Sequence, residues 1–194
     1  AQGRSETPRA RGERTRERVA DSLIALLEQG KNPPTAREIA ARAGVSVRLV
    51  FHHFEDMDAL YRKVVALQFE RHWQLVREVP ADLPLDDRID RTVHQRARLF
   101  DSVREVRRAA RAAAIRWPEI AARLEESDGF SRQWLEDTFE PELSAAGRSR
   151  RELLAALDAA ASWESWDRMR RAGGLSAAAA RRSMARALHG LLAA

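Results

Sequence analysis

The sequence contains no cysteine. Disulfides and thiolate metal sites are therefore excluded. Its histidines, His52, His53, His72, His94 and His189, are scattered, and none lies four residues from another. A metal site built from them is not expected. There is no His-Glu-x-x-His, no Gly-rich phosphate loop and no Gly-x-Ser-x-Gly. The chain is read as a non-enzyme, with no cofactor. It also lacks an apolar run long enough to span a membrane, and an N-terminal segment of signal-peptide character. These absences fit a cytoplasmic protein without a membrane partner. No segment alternates with period two, so no sheet is expected. Lysine is scarce as well: Lys31 and Lys63 are the only two, and arginine supplies the rest of the basic charge.

What remains is a chain of 194 residues, 44% hydrophobic and 32% charged. That is enough for one large domain, or a small one joined to a larger one. The positive charge is uneven. Residues 1–54 hold ten Lys/Arg and six Asp/Glu, whereas residues 55–194 hold 24 and 23. A local basic excess is the footprint expected for a polyanionic partner.

The most informative stretch is Thr35 to Phe54, TAREIAARAGVSVRLVFHHF. Thr-Ala-Arg-Glu is a capping box, so a helix should start at Thr35. Ile39, Ala40 and Ala43 mark one buried face. Gly44 can take positive φ and turn the chain sharply. Ser46 can cap a second helix over 47–53, with Val50 and Phe54 facing inward. Two short helices at a tight Gly-containing turn make a helix-turn-helix, whose second helix enters the major groove in a DNA reader. The competing reading is a helical hairpin inside an ordinary α-protein.

Around this stretch the expected order is as follows. Residues 1–13 form a flexible basic arm with Arg4, Arg9 and Arg11, either a DNA-reaching arm or a solvated tail. A first helix covers 14–29, with Val19, Leu23, Leu26 and Leu27 as its stripe, and ends at Gly30. A long helix over 56–78 carries two apolar rows and joins the head, residues 14–55, to a larger helical body, residues 56–194. In that body, helices are expected over 85–103, over 105–117, and from Pro118 onward with a kink at Asp128-Gly129. Another is expected over 150–172, and Ser176 caps a last one. The fold class is thus all-α. The last two helices, through Leu153, Leu157, Trp166, Ala180, Met184, Leu188 and Leu191, either form a four-helix dimer interface or complete the core of one chain; the dimer is the preferred reading.

Residues 14–67 resemble the N-terminal domain of the tetracycline-repressor (TetR) family of transcription regulators. TRERVADSLIALLEQG, then PTAREIAARAGVSVRLVFHHFEDMDALYRKVV, carry the resemblance. It implies a homodimer on a palindromic operator, a repressor released when a small-molecule effector binds the C-terminal body. It also implies that Thr35, Arg37, Ser46, Val47, Arg48, Phe51 and His52 lie at the double-stranded DNA. The Thr35 hydroxyl and the start of its helix suit a phosphate. Arg48 either forks onto guanine or neutralises a phosphate. His53 is expected to pack towards the first helix. Three positions depart from the family's habit: Phe51 replaces a common Tyr, Met57 a common Lys, and Arg48 a small residue.

For the effector, the large or polar groups available in the second body are Phe69, Trp73, His94, Arg98, Phe100, Trp117, Phe130, Trp134, Phe139 and Trp163. The alternative function is a basic helical protein that binds nucleic acid without sequence preference or ligand.

Overall fold

In the computed structural model, residues 8–30, 33–73 and 76–193 are described. Ten α-helices occur among them and no strand: α1 (Pro8–Glu28), α2 (Ala36–Ala43), α3 (Val47–His53), α4 (Met57–Trp73), α5 (Leu85–Ala114), α6 (Pro118–Thr138), α7 (Glu140–Ala145), α8 (Arg150–Ala160), α9 (Trp163–Asp167) and α10 (Ala177–Leu192). A single π-helical turn, Arg168–Ala172, follows α9. None of these helices is long and apolar enough to cross a membrane.

Several boundaries differ from expectation, each for a local reason. Helix α1 begins at Pro8, so residues 8–13 are helical where a flexible arm is expected. The first seven residues lie outside the described ones. Helix α5 runs unbroken past Val103, because its RRAARAAA stretch holds strong helix formers and no Pro or Gly. Helix α6 passes through Asp128-Gly129 without ending. A Gly in a helix interior costs only about 1 kcal/mol relative to Ala, which packing can offset. Conversely, the single helix expected over 150–172 breaks after Ala160. There the Ala161 carbonyl accepts from Arg96 Nη1 at 2.6 Å, and the Ser165 amide turns to the Ser162 hydroxyl at 3.1 Å. Those two substitutes replace the helical bond between them.

By packing, the chain divides into two units. The first takes residues up to Glu70 together with Glu105–Leu124; the second takes Arg71–Arg104 and the remainder from Glu125. Residues 56–194 thus contribute to both units. The core of the first unit joins Val19, Leu23 and Leu27 of α1 to Ile39 and Ala40 of α2, Val50 of α3 and Leu60 and Val64 of α4. Val106, Ala109 and Ala110 from the end of α5, and Ile120 and Leu124 from α6, complete it. Three short helices bury too little apolar surface to be stable alone, and these distant segments supply the missing area.

The second unit packs Ile89, Val93 and Phe100 of α5 against Leu135 and Phe139, Leu143 of α7, Leu157 of α8, Trp166 of α9, and Met184 and Leu188 of α10. Two arginines of α5 are buried with them. Arg88 forks onto the Glu142 carboxylate, with Nη1 to Oε2 at 2.7 Å, and also donates to the carbonyls of Thr138 and Leu83, both at 2.9 Å. Arg96, 1% exposed, donates to the carbonyls of Ala161 and Ser131, both at 2.6 Å. Burial pulls the Arg96 guanidinium down to about 10, against the pull of Asp158 and Asp128.

Candidate nucleic-acid interface

The helix-turn-helix forms as its local sequence dictates. The Glu38 amide donates to the Thr35 hydroxyl at 3.3 Å, and the Thr35 amide donates to the Glu38 carboxylate at 2.9 Å. This closes the capping box. Gly44 sits at φ 63°, the left-handed conformation, and the Val45 amide reaches back to the Ala40 carbonyl at 3.0 Å. That 6→1 bond ends α2 and turns the chain at no steric cost, since glycine has no Cβ. The Leu49 amide then donates to the Ser46 hydroxyl at 3.1 Å, which starts α3. Val50, 1% exposed, points from α3 into the core shared with Ile39 and Ala40.

The opposite faces are open. Thr35, Arg37, Ser46, Val47, Arg48, Phe51 and His52 are all exposed. On α3, Val47 is 36% and Phe51 44% exposed, one turn apart on the same face. Among the described residues, no hydrogen bond or ion pair engages Arg37 or Arg48. Thr35 differs from expectation in one respect: its hydroxyl also donates to the Glu38 carboxylate at 2.9 Å. Its polar groups are therefore already used. By helix geometry, the first-turn amides of Ala36 and Arg37 remain as donors there. Met57 does not face outward in the manner of a lysine; it packs against the core of the first unit. The carboxylate of neighbouring Asp56 accepts the Ala59 amide at 2.6 Å and caps α4.

His53 lies against α1, as expected. A Cβ at Gly12 would stand 3.8 Å from the His53 ring, and Arg16 Nε donates to the His53 carbonyl at 3.3 Å. Burial, then the charges of His52 and Arg16, hold the His53 imidazole below its ordinary 6.5.

The charge of this unit was only partly legible beforehand. Residues 1–70 and 105–124 hold 17 Lys/Arg and 12 Asp/Glu, while the second unit's ranges hold 17 of each, out of 34 and 29 in the chain. The whole net charge of +5 thus falls in the unit that carries the helix-turn-helix. Residues 105–124 bring five arginines and two glutamates to it. That contribution is invisible in sequence because it comes from a helix beginning at Leu85.

The other candidate residues are less well gathered. Of the effector candidates, Trp117 belongs to the first unit, its ring 5.7 Å from that of Tyr61. Phe100, Phe139 and Trp163 are core residues of the second unit; Trp134 is half-buried there, and Phe130, His94 and Arg98 are exposed. The side chains of Phe69 and Trp73 lie outside what is described. The ten therefore do not form one cluster. Of the dimer candidates, Leu157, Trp166, Ala180, Met184 and Leu188 are at most 1% exposed in the single chain. Buried in their own unit, they are not available to a second copy; only Leu153 and Leu191 are half-buried. Among the described residues, no group of three or more His, Cys, Asp or Glu could hold a metal ion.

Comparison with known proteins gives a consistent likeness. Residues 23–64 match the family model of bacterial regulatory proteins, tetR family. No curated protein matches the chain. Among solved structures, a transcriptional regulator from Rhodococcus sp. Rha1 is 20% identical, with a TM-score of 0.71 over 92% of this chain and 96% of that one. A tetR-family transcriptional regulator from Streptomyces coelicolor is 18% identical, with a TM-score of 0.65 over 92% and 79%. A TetR family transcriptional regulator from Pseudomonas syringae pv. tomato is 24% identical, with a TM-score of 0.56 over 92% and 95%. With its exposed α3 and its net charge in one unit, the chain carries the N-terminal helix-turn-helix domain of the tetR family over residues 23–64, within the all-helical fold of the family's solved regulators.

Proposed function

We propose that this chain is a homodimeric transcriptional repressor that reads a palindromic operator with α3 and is released by a small-molecule effector held in its second unit. The observation that carries the reading is the coincidence of the exposed faces of α2 and α3 with the unit that holds all of the net positive charge. Arg48 is the base reader, forked onto guanine O6 and N7. Val47 and Phe51 form an apolar pair suited to a thymine methyl group. Arg37, the first-turn amides of α2, Ser46 and His52 take phosphates. Thr35 acts through its cap and not through a free hydroxyl. Phe51 and Met57 leave fewer polar anchors than a Tyr and a Lys would.

Pairing across a two-fold axis suits a palindrome. The surface for it is the outer side of α8 and α10, where Ala155, Ala159, Ala178, Ser183, Ala187 and Gly190 are exposed. Small residues there allow close approach of two helix pairs. The effector reading rests on the aromatic residues Phe100 and Trp134 around the buried Arg96, whose Cζ lies 6.0 and 5.3 Å from their ring centroids. No enzymatic step is assigned.

Selection from a random duplex library, followed by footprinting, tests the reading. A single enriched palindrome protected on both half-sites is the expected result. Uniform binding with a steep salt dependence overturns it in favour of non-specific binding.

A further inference from the structure

The second unit buries a guanidinium with no anion against it. Arg96 of α5 is 1% exposed, and no ion pair engages it among the described residues. The carboxylates of Asp158 and Asp128 act on it by charge from beyond ion-pair range, and Asp158 is itself paired with Arg132 at 3.6 Å. Both terminal nitrogens of Arg96 are used, on the carbonyls of Ala161 and Ser131. Its Nε–H has no protein partner. Two polar atoms on adjoining residues share that condition. Thr92, 0% exposed and one turn earlier on the same face of α5, has an unpartnered Oγ1. Trp134 of α6, whose ring centroid lies 5.3 Å from the Arg96 Cζ, has a buried Nε1–H without a protein partner.

Buried polar atoms are nearly always hydrogen-bonded, so three orphans on mutually neighbouring residues mark a place where a partner belongs. Their chemistry defines that partner. An arginine Nε–H and an indole N–H only donate, and a threonine hydroxyl can donate. The matching group is therefore an acceptor without protons of its own. The buried positive charge further selects an anion, because a charge removed from water is costly until it is paired. The rings of Phe100 and Trp134, beside Arg96, offer apolar surface for the remainder of such a molecule.

We propose that the second unit binds a small monocarboxylate at Arg96, its carboxylate accepting from the Arg96 Nε–H, the Thr92 hydroxyl and the Trp134 indole N–H. The effector of the proposed function is then an organic acid, and that step alone rests on the repressor reading. Neutral molecules of the same shape leave the charge of Arg96 unpaired and are discriminated against.

Titration of the full chain with acetate, benzoate and hexanoate, without DNA, tests the site apart from that function. The readout is the NMR signals of the Arg96 Nε–H and the Trp134 indole N–H, the latter identified by its loss in Trp134→Phe. At least one of the acids should shift both saturably. The neutral amide of that acid should bind at least about ten-fold more weakly; ten-fold is about 1.4 kcal/mol. Thr92→Val should weaken the acid roughly three-fold or more while Tm is unchanged or raised, since valine removes an unpartnered hydroxyl at nearly the same shape. Trp134→Phe should also weaken it. The proposal is overturned if none of the three acids gives a saturable shift below about 10 mM. It is equally overturned if the neutral amide binds as well, or if Thr92→Val and Trp134→Phe both leave binding unchanged. Operator binding on the selected duplex is measured separately. Release by the acid that is lost in Thr92→Val supports the effector role. Release by amines or neutral compounds alone overturns that role and leaves the repressor intact. Saturable acid binding with no palindrome selected overturns the repressor and leaves the site.

Discussion

Arg16 Nε donates to the backbone carbonyl of His53 at 3.3 Å, across 37 residues of sequence. The bond fastens the first helix to the last residue of α3, where the outgoing carbonyls have no partner inside the helix. A cation at that end also meets the negative pole of the helix dipole. Arg16→Ala should lower stability by about 1 kcal/mol, the net worth of such a hydrogen bond. Urea unfolding measures this. Operator affinity should fall further than loss of a surface charge alone would cause, and Arg16→Lys should recover little of it, because a lysine lacks the fixed fork.

The same contact makes stability depend on pH. His53 is held below 6.5 in the folded chain, first by burial and then by His52 and Arg16. The unfolded chain therefore binds the proton more readily. The stability that a neutral His53 allows is full above about pH 6.5 and declines as pH falls through the folded value. Thermal melts between roughly pH 7 and pH 5 should show a steeper fall for the native sequence than for His53→Gln. Parallel curves would sink the prediction.

Arg48 should act on specificity and Arg37 on affinity. Arg48→Ala should relax base preference at one position per half-site, at about 1–3 kcal/mol of lost discrimination. Arg37→Ala should weaken binding to all sequences alike and reduce the salt slope by about 0.9 for the one phosphate it no longer neutralises. Binding measured on a panel of single-base operator variants at two salt concentrations separates them.

Arg88 and Glu142 form a forked pair in which the arginine is almost wholly buried. Hydrogen bonds from Arg88 hold the Glu142 carboxyl below its usual range. Glu142→Ala strands the guanidinium and should cost about 3 kcal/mol or more. Replacing both, Arg88→Met with Glu142→Leu, should recover most of that loss, as apolar substitutes for buried pairs often do. Chemical denaturation of the two variants decides the matter.

The outer and inner sides of α10 should separate assembly from folding. Ala187 is exposed, whereas its neighbour Leu188 is fully buried. Ala187→Glu should yield a folded monomer by light scattering, since a charge is placed in the proposed two-fold contact. Leu188→Ala should leave assembly geometry alone and cost about 2–5 kcal/mol of stability. If Ala187→Glu remains dimeric, the proposed face is wrong.

Capping was the part of the fold most easily read. Thr35, Ser46 and Ser176 each accept an amide three residues ahead, so the information lies within one turn of chain. The apolar stripes of α1 and α2 were legible for the same reason. The break at Ala161 was not, because its carbonyl is taken by Arg96, 65 residues away. Nor was the burial of Arg88, whose carboxylate partner lies 54 residues away.

By itself, the sequence determined the helices of the head, their caps and the set of side chains left facing outward, since each follows from contacts a few residues apart. Tertiary structure decided the rest. It carried the end of α5 and the start of α6 into the first unit, with core residues and three of its five net charges. It buried five of the seven residues expected at a dimer contact. It also brought Arg62 of α4 and Arg123 of α6, 61 positions apart in sequence, to the lining of one groove. Periodicity reveals that a face is apolar, but not which of several apolar faces it will meet.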